Sequence, residues 1–310
     1  KIDLSGIEKY PNLYKIYHHS SILVESDYNR VLAALLCNKG LKMISTLHGG
    51  FAYYTHPYVF LEGKLMDEFI SPGFKSWGTR RGGEEDNFSN KNPRPLPSLK
   101  LFHINKQAGL ISKKNKTWKA TLLLLTENKK IKWLYTPLLP DMAHDYYTRQ
   151  GALLQYFNSV TPSLAKLYPK EFGWEQKKWI EEKYSKLKIS NEKKNFIDYA
   201  LKSEIVIIDY NSSGFIEMIA AQKIPFMCTW NRRWFRGDDL FERILDELKS
   251  VSIYFETPEE LIVKHKEVSK NSILKWWSHS KRVAAIVRMS NNYALVKTNS
   301  EKEWEREFAR

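Results

Sequence analysis

The chain holds 310 residues, of which 43% are hydrophobic and 27% charged, and Lys+Arg 49 against Asp+Glu 35 leaves a formal charge of +14. At roughly 100–200 residues per domain this length buries about two cores, and the composition excludes a disordered tail or low-complexity linker. The two cysteines, Cys37 and Cys228, lie too far apart for a disulfide scaffold or a cysteine zinc site, and they fit a reducing, cytosolic compartment.

In chain order, Ser21–Glu25 is a short β-rich run. Tyr28–Asn38 has helical spacing, with Asp27 as its N-cap and Gly40 near its end. Leu41–Leu47 follows as a strand and runs into His48-Gly49-Gly50, completing a β-α-β unit and predicting a parallel sheet. Glu68–Ile70 and Lys75–Trp77 are shorter strand candidates. Arg80 to Pro97 then changes character, with Gly82, Gly83, three acidic residues from Glu84 to Asp86, and Pro93, Pro95 and Pro97. This stretch is the expected linker, and it separates a first domain over 1–90 from a second over 98–270.

The β/α rhythm restarts beyond it. Strands are expected at Ala120–Leu125, Ser163–Tyr168, Glu204–Asp209, Pro225–Trp230 and Ser252–Glu256. Helices are expected at Tyr146–Ser159, Asn195–Leu201, Phe215–Gln222 and Leu240–Leu248. Thr257 followed by Glu260 is a capping-box pattern. Ile273–Tyr293 reads as one amphipathic helix with Trp276 and Trp277 near its start. No run of about 18 apolar residues exists, so no spanning helix is expected, and no signal peptide is visible. The chain opens at Lys1 without a methionine, and residues are expected before it.

In an open parallel sheet, ligands bind beyond the carboxyl ends of the strands, which singles out four loops. In His48-Gly49-Gly50 the glycines admit close backbone approach, and the histidine suits a phosphate contact or a general base. In Asp209 to Gly214, hydroxyls and backbone N–H groups meet a helix N-terminus, where an anion is favoured, and Glu217 one turn on is placed to accept from a ribose. Ordinary N-capping by Ser212 or Ser213 accounts for the same residues. In Lys166 to Pro169, period two puts Lys166 and Tyr168 on one side of the strand. In Pro140 to Tyr147, Asp141, His144 and Asp145 lack metal-ligand spacing, so helix capping with a donor or acceptor contact is expected.

Together the runs SEIVIIDYNSSGFIEMIAAQKIPFMCTW, ISTLHGGFAYY, DEFISPGFKSWGT, KLYPKEFGW and KWW resemble a bacterial transferase family of surface-polysaccharide loci. That family is distantly similar to the capsular Kdo transferases and the CDP-glycerol glycerophosphotransferases. The resemblance spans Ser20 to Tyr293. It implies an α/β GT-B fold, with two Rossmann-like domains facing across a cleft and a shortened or incomplete N-terminal one. A final segment, 271–310, would cross back to the first domain with Trp276 and Trp277 at the seam.

By the same resemblance the protein is a glycosyltransferase, inverting in type, and a CMP-linked acidic sugar is the favoured donor. The acceptor is a cell-surface glycan or a lipid-linked one. Asn211, Ser212, Ser213, Gly214 and Glu217 would hold the nucleotide, joined by Lys166 and Tyr168. Related enzymes carry His-Pro where this chain reads Tyr168-Pro169, so Lys166 is left to supply the phosphate-binding charge. His48, Glu62 and Asp67 are the candidate bases, and no spacing rule selects among them. No Asp-x-Asp pair occurs, so metal-independent transfer is expected, with no cofactor beyond the nucleotide-sugar substrate. Arg232 and Arg233 are placed to reach a phosphate or sugar carboxylate.

The positive field attracts phosphates in general, and a lysine-rich solvated surface would carry the same charge. Peripheral contact with anionic membrane on the cytoplasmic side is expected. A nucleotide-sugar epimerase on this scaffold and a basic nucleic-acid-binding protein are the rival readings. Against the latter, the basic residues form no stripe and no nucleic-acid motif occurs.

Overall fold

A computed structural model describes residues 16–19, 27–46, 66–75, 92–110, 116–124, 140–169, 173–233 and 239–309. They form two parallel sheets. The first has four strands in the order β1-β2-β3-β4, namely Ile16–His19, Lys42–Thr46, Glu68–Ser71 and Arg94–Pro95. Helix α1 (Asp27–Asn38) connects β1 to β2, and Gly40 beyond its end takes φ +81°, a left-handed turn that glycine enters at no steric cost. The proline-rich stretch expected to be wholly linker therefore supplies the edge strand β4. An edge suits it, because Pro95 has no N–H to give to a further neighbour. Lys75 is not in a strand. The run Ser21–Glu25 lies outside the described residues.

The second sheet has six strands: β5 (Trp118–Leu123), β6 (Ser163–Lys166), β7 (Lys188–Ser190), β8 (Ser203–Ile208), β9 (Phe226–Thr229) and β10 (Tyr254–Phe255). Their order is β10-β9-β8-β5-β6-β7, and every pairing is parallel. The chain steps outward from β5 to β7, then returns to the other side of β5 and steps outward again. This is the strand order of a doubly wound nucleotide-binding sheet, and its reversal point lies between β5 and β8.

Both faces of that sheet are covered, which is why β8 reads as the unbroken apolar run Ile205-Val206-Ile207-Ile208. Period two divides it. Val206 and Ile208 join the core formed with α2 (Leu99–Gly109), α6 (Ser213–Ala221), α7 (Asp239–Ser250) and α10 (Ser280–Tyr293). Ile205 and Ile207 join the opposite core, formed with α3 (Pro140–Phe157), α4 (Gln176–Lys183) and α8 (Pro258–Ser269). The short helix α5 (Phe196–Ala200) precedes β8. The capping box of α8 is formed as expected, with Thr257 and Glu260 bonding reciprocally.

The C-terminal segment differs from the single helix expected. Helix α9 (Ile273–Trp277) ends at Ser278-His279, and α10 restarts with His279 as its N-cap. Trp277 packs on Phe226 and donates to Gln222 O at 2.9 Å, so it belongs to the core of the second sheet rather than to a seam between domains. The contacts with the first sheet come later. Tyr293 meets Phe74, and Leu295 N donates to Pro72 O at 2.7 Å. Gly73 (φ +148°) lies so close that a Cβ there would stand 2.7 Å from Asn291 O. Helix α11 (Ser300–Phe308) then reaches β4, where Glu307 receives Arg94 and Trp304 Nε1 donates to Pro97 O at 2.7 Å.

Candidate functional site

In doubly wound sheets ligands bind at the carboxyl edge of the strand-order reversal, here between β5 and β8, and the residues after β8 stand at that edge. Ser212 sits in extended backbone (φ −138°, ψ 174°), and its Oγ accepts from Phe215 N at 3.3 Å. It is a true N-cap of α6, so the bland reading of this serine holds and its hydroxyl is committed to the helix. Ser213, the first residue of α6, is less buried. Asn211 is fully buried and Asp209 nearly so. Gly214 has a packing cause: a Cβ on it would overlap Leu123 Cδ2 at the end of β5. The glycine lets α6 start directly against the strand on the other side of the reversal point.

One turn into α6, Glu217 is only 8% exposed, and its Oε1 lies 2.6 Å from Lys100 Nζ. The Tyr210 hydroxyl shares a hydrogen bond with the Ser212 side chain. Burial raises its pKa far above the ordinary phenol range, and the charges of Asp209 and Glu217 push it further. A carboxylate, a neutral phenol, a capped helix N-terminus and a lysine therefore meet at one edge. That set suits a ligand with an anionic part and hydroxyls.

Helix α3 leans over the same edge. The segment beginning at Pro140, expected as a loop, is helical from Pro140 onward. Tyr146, Arg149 and Gln150 stand on one face by i, i+3 and i+4 spacing. Gln150 Nε2 donates to Asp209 Oδ2 at 2.8 Å, and Gln176 Nε2 donates to Gln150 Oε1 at 2.7 Å. Tyr146 OH donates to Asp209 O at 3.3 Å. Arg149 donates to Thr229 Oγ1 at 3.2 Å and to Glu256 O, tying α3 to β9 and to the end of β10. Asp145 accepts from Asn231 Nδ2 at 3.3 Å, and His144 is exposed.

The expected phosphate-binding charge at β6 is not displayed. Lys166 is buried, and its Nζ donates to Leu167 O at 3.0 Å and Glu192 O at 2.6 Å. Burial lowers its pKa, with Glu192 pulling the other way. The physical reason is reach: four methylenes let the ammonium fold back onto carbonyls that need donors. Tyr168 is 58% exposed, so the two residues do not act as a pair facing one crevice. Arg232 is likewise committed, to Glu242 at 2.8 Å and Asp246 at 2.6 Å, while Arg233 is exposed.

Of the candidate bases, Asp67 stands at the amino end of β3. Its N donates to Met43 O at 2.9 Å, and its Oδ2 accepts from Met43 N at 2.8 Å, closing the start of the β2–β3 ladder. That is the end of the sheet opposite to the carboxyl edge. His48 and Glu62 lie outside the described residues. Among the described residues, no cluster of three or more His, Cys, Asp or Glu has metal-binding geometry.

Lys100, Gln150 and Gln176 escaped sequence reasoning. Tyr146, Arg149 and Gln150 fall in the helix expected at Tyr146–Ser159 and share a face there, a signal that the search of strand-end loops did not use. Lys100 had none: its partner is 117 positions away, from 217 − 100.

Two parallel Rossmann-like sheets, the second in doubly wound order, define a GT-B architecture. The spinosyn rhamnosyltransferase SpnG matches the chain at TM-score 0.50 and 11% identity, over 98% of this chain and 75% of that one. The structure of accessory secretory proteins 1, 2 and 3 of Streptococcus pneumoniae matches at TM-score 0.50 and 10% identity, over 98% of this chain and 56% of that one. At such identities the likeness is one of fold. The chain itself belongs to the LIC12162 family of transferases, which it matches over residues 2–308. No curated protein matches it in sequence.

Proposed function

We propose that this protein transfers a sugar from a nucleotide-activated donor, a CMP-linked acidic sugar being favoured, to a cell-surface glycan or lipid-linked acceptor. The observation that carries the reading is the meeting of Glu217 with the Ser212-capped start of α6 at the reversal point of the second sheet. The positive end of α6 and the Ser213 hydroxyl suit the donor phosphate, and Glu217 suits the ribose. Leaving-phosphate charge would be stabilised by these fixed dipoles. Metal-independent, inverting transfer belongs to the same reading, and it rests on the missing Asp-x-Asp pair. The general base is sought in His48 and Glu62, both before the linker.

No helix among the described residues is long and apolar enough to cross a membrane. With a charge of +14, cytoplasmic residence with peripheral contact on anionic lipid is proposed, and salt-sensitive vesicle binding is its measurable sign.

The test is thermal stabilisation by CMP, CDP, UDP and GDP, repeated on Glu217→Ala. A nucleotide at 100 times its Kd adds about 2.7 kcal/mol of stability. The variant is expected to melt near wild type, because the Lys100 it releases is largely exposed, and to lose roughly tenfold or more in nucleotide affinity. Stabilisation by no nucleotide, or equal affinity in the variant, sinks the reading. Turnover of a nucleotide sugar without any acceptor would point to an epimerase.

A further inference from the structure

We propose that Lys100 is a positioning residue for donor recognition. Its ammonium holds one oxygen of the Glu217 carboxylate so that the other is presented to the ribose hydroxyls. The proposal rests on the nucleotide-sugar reading above.

Three observations carry it. The first is placement. Helices α2 and α6 lie side by side and run the same way, since Lys100 pairs with Glu217 while Asn105 Nδ2 donates to Ala220 O at 2.7 Å one turn on. Both N-termini therefore reach the carboxyl edge, and α2 is fixed there by its own cap, Ser98 accepting from Leu101 N. The second is asymmetry. The Glu217 side chain is 11% exposed and that of Lys100 is 69% exposed. A carboxylate withdrawn so far from water needs a partner, whereas the lysine does not, and an exposed lysine adds little to stability. The ammonium meets Oε1 of the carboxylate at 2.6 Å. The third is that neighbouring cations are committed elsewhere: Lys166 to backbone carbonyls, Arg149 to Thr229 and Glu256, and Arg232 to Glu242 and Asp246.

A carboxylate held by one oxygen has a fixed plane and loses less freedom when it binds a diol. Lys100 should then govern discrimination at the ribose rather than at the phosphate.

The experiment uses the full chain as wild type, Lys100→Met, Lys100→Arg, Glu217→Gln and the Met/Gln double variant. Calorimetry measures affinity for CMP, 2′-deoxy-CMP and cytidine, and for the matched UDP and GDP pairs. Wild type is expected to prefer the ribonucleotide by about tenfold, the ratio a lost charged hydrogen bond produces. Lys100→Met and Glu217→Gln should each erase most of that preference, the double variant should erase no more than either, and Lys100→Arg should keep most of it. If Lys100→Met keeps the ribose preference, the proposal fails. If it weakens CMP and 2′-deoxy-CMP equally while leaving cytidine unchanged, Lys100 touches the phosphate and the proposal fails. If wild type binds no nucleotide, the proposed function falls as well, and with it this inference.

Discussion

Gly214 shows how a sequence signal for ligand approach can have a packing cause. The residue stands where a backbone–phosphate contact was expected, yet what its missing Cβ admits is Leu123 of β5. Gly214→Ala should therefore cost stability by overpacking, about 1–3 kcal/mol by urea denaturation. Leu123→Ala removes the obstructing methyls, so the double variant should lose less than the sum of the two single losses. An additive result would mean that Gly214 is needed for another reason. Lys166 makes a related point. Period two correctly places its Cβ, but the fate of its ammonium depended on Glu192 O, a carbonyl brought near by the β6–β7 pairing. Residue type and local period establish where a side chain starts, and for a long one they do not establish where it ends.

Between elements, α3 and α8 meet through a buried polar contact. Tyr156 OH and His265 Nδ1 are 2.8 Å apart, and His265 is 2% exposed. Burial pulls the histidine pKa from 6.5 down to about 4. In the pH interval between those values the unfolded chain binds a proton that the folded chain refuses, so stability rises with pH there. The contribution is fully present above the unfolded value and is lost as pH falls toward the folded one. It amounts to on the order of 3 kcal/mol. Denaturant midpoints measured across that interval should show this slope in the wild type and a flatter one in His265→Gln. Equal slopes would place the titration elsewhere. An apolar stripe identified the helix of Tyr156 and a capping-box pattern the start of that of His265, while the contact between them was invisible, because Tyr156 is 109 positions away.

For the molecule as a whole, the C-terminal segment ties the first sheet to the second. Arg94 of the edge strand lies between Glu68 on β3 and Glu307 on α11, with Nη1 2.7 Å from Glu307 Oε2. Trp304 caps the same corner by donating to Pro97 O. These side chains are partly exposed, so the pair is worth less than a buried one. Glu307→Gln should cost about 1 kcal/mol, and adding Arg94→Met should cost little more because the partner is already gone. A cycle with no coupling would show that the apolar contacts of Tyr293 and Phe74 hold the corner unaided.

Alternation of apolar runs with helical periods was enough to predict a parallel α/β protein, to locate every strand of the second sheet except the short edge strand β7 within a few residues, and to place the serine loop after β8 at a helix start. Those features depend on burial and backbone chemistry within short windows. The strand order with its reversal between β5 and β8, the Lys100–Glu217 pair and the retreat of Lys166 and Arg232 from the edge came only with the folded chain. Each depends on groups far apart in sequence, and no local period encodes which distant partner will satisfy a buried charge.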